Sequence, residues 1–122
     1  MIYKLVYDLE LPSTNEIINQ NRSNRYAAAS QKKEYTRLIA YLTKEQIKEK
    51  IKNKVDVTCN WFVRNKRKDK DNISGGIKFI LDGLQEAEII ENDGWEQIGD
   101  IHHYFYVDKN NPRVELRLEE RE

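Results

Sequence analysis

The chain has 122 residues, room for one ordinary domain with a single modest core. Its 21 basic and 21 acidic residues cancel, and a single cysteine excludes an internal disulfide or a cysteine-rich zinc site. No stretch approaches the roughly 18 apolar residues needed to span a bilayer.

The N-terminal MIYKLVYDLELP alternates, with Tyr3, Leu5, Tyr7, Leu9 and Leu11 on one face, and predicts a half-buried strand that stops at Pro12. The same segment is charged throughout and lacks the apolar block of a signal peptide, so a cytoplasmic protein without a membrane partner is expected. The polar PSTNEIINQNRSNRYAAAS shows no clear period and reads as a loop. A helix is expected from about Ser30 to Lys50, with Tyr35, Leu38, Ile39 and Leu42 as its apolar stripe. Val55 to Val63 is a second strand, and Cys59 shares its apolar face with Val55, Val57, Trp61 and Val63, as a buried core thiol would.

A second helix is centred on Ile77, Ile80, Leu81 and Leu84 and ends near Ala87. Residues 97–107 form a strand with Ile101, His103, Phe105 and Val107 on one face. NNP marks a turn, and Val114, Leu116 and Leu118 make a last strand. The predicted order is β-α-β-α-β-β, one α/β domain over residues 1–122 whose last two strands pair as an antiparallel hairpin. A chain this small has little room for a deep cleft, so a site shared across a dimer is expected.

Charge is unevenly spread although its sum is zero. Five of the seven residues from Arg64 to Lys70 are basic, and a second basic set lies at Arg22, Arg25, Lys32, Lys33 and Arg37. From Phe79 to Asp108 there are eight acids and no Lys or Arg. Charge separated in this way can give a positive patch with a focused acidic centre, although clustered charges are also what a merely solvated surface carries.

Asp69 and Asp71 sit two apart directly after a strand and inside the basic run. In an extended chain positions i and i+2 point the same way, so both carboxylates can converge on one cation. Mg²⁺ takes oxygen ligands and binds through one or two carboxylates plus water and phosphate. Asp93, in the turn ENDGW, is the candidate third carboxylate. Such a cluster would serve hydrolytic displacement at phosphorus. Lys78 would add fixed positive charge for the transition state, and Arg67 and Lys68 would hold the DNA backbone. Asp-Xaa-Asp alone is equally a solvated helix start with Asp71 as N-cap. A calcium loop counted from Asp69 fails, because its fifth and twelfth positions are Ile73 and Ile80.

KDKDN, then KFILDGL, then ENDGW resemble the RusA family of Holliday-junction resolvases, especially its phage-type branch, and LPSTNEIINQNRSNRY resembles that family's Pro-Asn loop. The resemblance implies a RusA-like α/β domain with a mixed sheet, acting as a homodimer. It implies an endodeoxyribonuclease that uses Mg²⁺, with Mn²⁺ as a substitute, to resolve four-way junctions by paired nicks in recombination and repair. No small-molecule substrate is expected. Asp69, Asp71 and Asp93 match the family's aspartates, Lys78 its catalytic lysine, and Asn72 the Asn beside the paired aspartates. Charge and resemblance assign Asn15, Arg22, Arg25, Lys32, Lys33, Lys66, Arg67, Lys68 and Asn72 to DNA. Two departures stand out: Lys78 follows Asn72 by six residues with Ser-Gly-Gly between, and the acidic turn has Asn92 where a second aspartate is common. The competing expectation is a branched-DNA-binding protein with weak or no activity.

His102 and His103 are adjacent on a strand, face opposite ways, and read as structural or surface residues. Tyr104 and Tyr106 share the His102 face and suit a dimer interface, while Trp95 is expected to cover the site or pack beneath it.

Overall fold

A computed structural model describes residues 1–122 as β1 (Ile2–Tyr7), α1 (Thr14–Ser23), α2 (Arg25–Gln46), β2 (Val55–Val63), α3 (Lys70–Ser74), α4 (Ile77–Glu86), β3 (Ile98–Val107) and β4 (Arg113–Glu120). The four strands form one mixed sheet in the order β1-β4-β2-β3. β4 runs antiparallel to both β1 and β2, and β3 runs parallel to β2.

The expected hairpin between the last two strands does not form. β2 alternates Val55, Val57, Cys59 and Trp61 into the core, all at most 3% exposed, and needs a neighbour on each side. β4 supplies one neighbour, with Val114, Leu116 and Leu118 buried. β3 supplies the other through a β-α-β crossover by way of α3 and α4, and a helical crossover is what parallel pairing requires. The turn after β3 therefore steps over the end of β2. There the Asp108 N–H donates to the Val63 carbonyl (2.8 Å), and the Arg113 guanidinium grips the Asp108 carboxylate (2.9 Å).

The helices cover one sheet face and enclose a core of 20 residues. On the other face, Lys4, Val6, His102, Tyr104 and Tyr106 are exposed. No helix is long and apolar enough to cross a membrane. Cys59 is fully buried, and burial pushes its thiol up to about 12, which makes it inert at neutral pH.

The segment read as a polar loop is mostly helix. Ser13 accepts the Glu16 N–H while the Glu16 carboxylate accepts the Ser13 N–H, a reciprocal cap that starts α1. Asn24 then caps α2 by accepting from the N–H groups of Tyr26 and Ala27, both at 3.0 Å. α1 has no buried residue, so no apolar period announces it. α2 accordingly begins and ends earlier than expected, and Leu38 of its assumed stripe is 42% exposed, with Ala40 buried instead.

α2 and α4 pack closely because of Gly83. A Cβ added there would lie 2.7 Å from Ile39 Cβ and 3.2 Å from the Ala40 nitrogen, so neither side can yield without moving backbone. α4 ends with Glu88 in the left-handed region (φ 61°), where the Glu88 N–H reaches the Gln85 carbonyl and the Ile89 N–H reaches that of Leu84. That reversal returns Ile89 and Ile90 to the core and sends the chain on towards Asp93.

Across β2 and β3, the Trp61 indole N–H donates to His103 Nδ1 (2.9 Å), and the two rings stack at 6.0 Å. Nδ1 must stay unprotonated to accept. Burial, and secondarily the nearby His102, hold the His103 imidazole below its usual 6.5.

Two outcomes follow from this packing. Gly83→Ala is expected to lower stability by about 1–3 kcal/mol in a denaturant melt. His103 favours the neutral form when folded, so its contribution is intact above pH 6.5 and is lost as the unfolded chain gains a proton below it. The fall in Tm between pH 7 and pH 5 should therefore be smaller in His103→Gln than in the native chain.

Candidate active site

β2 ends at Val63 and releases the basic segment. Its cations divide into two groups. Arg64 is held by Glu10 (3.1 Å), and Lys68 is held by Glu16. The Lys68 ammonium is the main reason the Glu16 carboxyl lies below its ordinary range. Lys66 and Arg67 are exposed, and the Arg67 N–H donates to Asn65 Oδ1 (3.0 Å), which fixes the bend of the segment.

Asp69 is the N-cap residue of α3, though its side chain makes no capping bond. Asp71 falls in the first turn, and its Oδ1 accepts from the Asn72 N–H (3.0 Å). Asp71 is therefore not the cap. Both carboxylates are exposed, while Asn72 is half-buried.

A break at Gly75-Gly76 separates α3 from α4. A Cβ at Gly76 would stand 3.1 Å from both the Trp61 ring and Leu11 Cβ, so the chain passes close over the indole and a side chain there would press the ring by a few tenths of an ångström. Lys78 lies just beyond the break, and its ammonium sits 3.3 Å from Asp82 and 3.8 Å from Asp93. The structure thus joins Lys78 to Asp93 and adds Asp82, while Asp69 and Asp71 on α3 make no ion pair with it. Asp82, four residues after Lys78 in KFILDGL, was legible as its i+4 partner on a helix. Exposed i, i+4 pairs contribute about 0.3–0.5 kcal/mol, and Lys before Asp is the weaker order, so Lys78 is readily diverted to a phosphate.

Asn92, the departure in the acidic turn, accepts the Asp93 N–H on Oδ1 (2.8 Å) and so shapes the turn that presents Asp93. Trp95 neither covers the site nor packs beneath it: its side chain is 91% exposed.

The remaining basic residues approach Lys78 from the helical side. Arg25 and Lys32 line a groove of about 500 Å³ together with Lys78, and Lys32 and Lys33 line an adjoining one with Asp82. Asn15 and Arg22 are exposed on α1 outside both grooves.

No group of three or more His, Cys, Asp or Glu side chains is gathered as a ready metal cage. The donors at hand are carboxylate oxygens, with no accessible thiol, and a hard divalent ion needs only one or two of them beside water and phosphate. The donor chemistry fits such an ion.

Comparison with curated proteins finds no match. The family model described as endodeoxyribonuclease RusA matches residues 10–119, which takes in both grooves, α3, Lys78 and the Asp93 turn. The chain therefore belongs to the RusA family of endodeoxyribonucleases, hydrolases that act on Holliday junctions in recombination.

Proposed function

We propose that the protein is a Mg²⁺-dependent resolvase that cuts four-way junctions by paired, symmetric nicks, with Asp69, Asp71 and Asp93 as the metal-holding carboxylates. The observation that carries this reading is the exposure of Asp69 and Asp71, on a short helix inside a run of basic residues. Bound there, the ion would supply a water-derived nucleophile and charge on the phosphoryl oxygens. Mn²⁺ would substitute for it.

The chain's own residues have separate tasks. Lys78, loosely held by Asp82 and Asp93, turns its ammonium to the phosphate under attack. Lys66, Arg67, Arg25, Lys32 and Lys33 bind the backbone without reading sequence, and Asn15, Arg22, Lys68 and Asn72 border the same path. Lys68 must share its charge with Glu16.

Paired nicks need two sites related by a two-fold axis, which a homodimer supplies. The open sheet face suits the second copy. It shows Tyr104, Tyr106 and Val6 beside side chains of both signs, Arg113 paired with Glu115 and Arg117 with Glu119. A surface carrying both charges can complement itself across a two-fold axis.

Cleavage of a labelled synthetic four-way junction with Mg²⁺ tests the reading. Asp71→Asn should lower the rate by at least about 100-fold while junction binding persists. Lys78→Met should cost roughly 10²–10³-fold. Junction binding by the native chain without cutting in Mg²⁺ or Mn²⁺ would instead make it a binding protein. In sedimentation the native chain should run at twice its chain mass, and Tyr104→Glu with Tyr106→Glu should shift it to the monomer; a native monomer, with and without junction DNA, excludes the paired-nick mechanism.

A further inference from the structure

A cavity of about 240 Å³ opens beside α3, on the far side of the Gly75-Gly76 break from Lys78. Its apolar lining comes from Leu9, Leu11, Val63 and Ile73, with Phe62 and the buried Trp61 and Val114. Leu9, Leu11, Val63 and Ile73 are only partly buried although they pack against the core, so they converge on a hollow instead of being covered by it.

The rim is cationic. Arg64, Arg67, Lys68 and Arg113 stand there against one acid, Glu10. Three of the four are neutralised within the chain, Arg64 by Glu10, Lys68 by Glu16 and Arg113 by Asp108 and Glu115. Arg67 has no acidic partner, and its only side-chain-mediated tether is the Asn65 bond to its backbone. Asn65 also lines the cavity, and with Oδ1 engaged by that N–H its amide NH₂ is left as a donor. An apolar slot with an anion-binding guanidinium and an amide donor at its mouth fits a flat, hydrophobic, acceptor-bearing group attached to a phosphate.

Resting on the branched-DNA reading above, we infer that this cavity takes an unpaired nucleobase of the substrate, from a nucleotide next to the phosphate to be cut. Arg67 precedes Asp69 by two residues, a span of at most about 7 Å. Successive charges on one DNA strand lie about 3.4 Å apart along the axis, so the cavity mouth is within roughly two nucleotides of the aspartates. Removing a base from an intact duplex is costly, and far less so at a branch where stacking is already broken. The cavity therefore rewards branched DNA over linear duplex without reading sequence, a selectivity that backbone contacts alone do not provide.

The test uses 2-aminopurine, which brightens when unstacked, placed at the branch point of a four-way junction, with EDTA present so that nothing is cut. Binding of the native chain, followed separately by gel shift, should raise the emission, and the same base in linear duplex should stay dim. Val63→Phe fills the slot and should abolish both the rise and the margin by which junction is preferred over duplex. Leu9→Phe repeats the test from the opposite wall in case the first variant misfolds, and circular dichroism reports folding for each. A rise that persists in both folded variants, or junction binding by the native chain without any rise, overturns the inference while leaving the resolvase reading intact. No junction binding at all in the gel shift overturns both.

Discussion

The Trp61 indole is the fixed point of the functional end of this molecule. It closes the inward face of β2, donates its N–H to His103 on the edge strand, and lies so close to position 76 that a Cβ there would stand 3.1 Å from the ring. The consequence is geometric. A single helix from Lys70 to Glu86 would carry Asp71 and Lys78 on one rigid rod, about 10 Å apart along its axis. The break over the indole splits that rod into α3, which presents the paired aspartates, and α4, which turns Lys78 towards Asp82 and Asp93. The carboxylates and the ammonium thus stand on separate elements that one buried side chain holds in register.

Electrostatics follow a similar division. A net charge of zero is an unusual starting point for a protein that meets a polyanion, yet the sum hides how the charges are spent. Arg64, Lys68 and Arg113 bind acids within the chain and fasten the β1–α1 connection, the basic segment and the β3–β4 turn around one hollow. Lys66, Arg67, Lys32 and Lys33 remain exposed. The first group builds the surface and the second leaves its charge open to solvent.

Much of the scaffold was legible in the sequence because burial imposes a period. β2 and β4 alternate cleanly, and α4 repeats its apolar residues every three or four positions. The pairing of the last two strands was not legible: a turn such as NNP reports that the chain reverses, and not which strand lies beside which. The demand of β2 for two neighbours settled that, and it exists only in three dimensions. α1 escaped because it buries nothing, although Ser13 and Glu16 carried its start in plain view. At the site, charge, spacing and family motifs singled out Asp69, Asp71, Lys78 and Asp93 as candidates, whereas the partnership of Lys78 with Asp82 and Asp93 needed the fold. The hollow beside α3 was invisible, since its walls come from four segments distant in the chain.

The close contact of Gly83 with Ile39 and the Ala40 backbone also constrains how such a chain can change over time. A side chain at position 83 becomes tolerable only after position 39 has given up its whole side chain, Cβ included, and shrinking Ile39 first opens a void in the core. Either order passes through a less stable intermediate, so the two positions are expected to exchange bulk together or remain as they are. Since α4 carries Lys78 and α2 carries Lys32, drift in that one packing contact would also move the cations of the two helices relative to each other. The spacing of those charges is thereby tied to the inheritance of a glycine buried between the two helices.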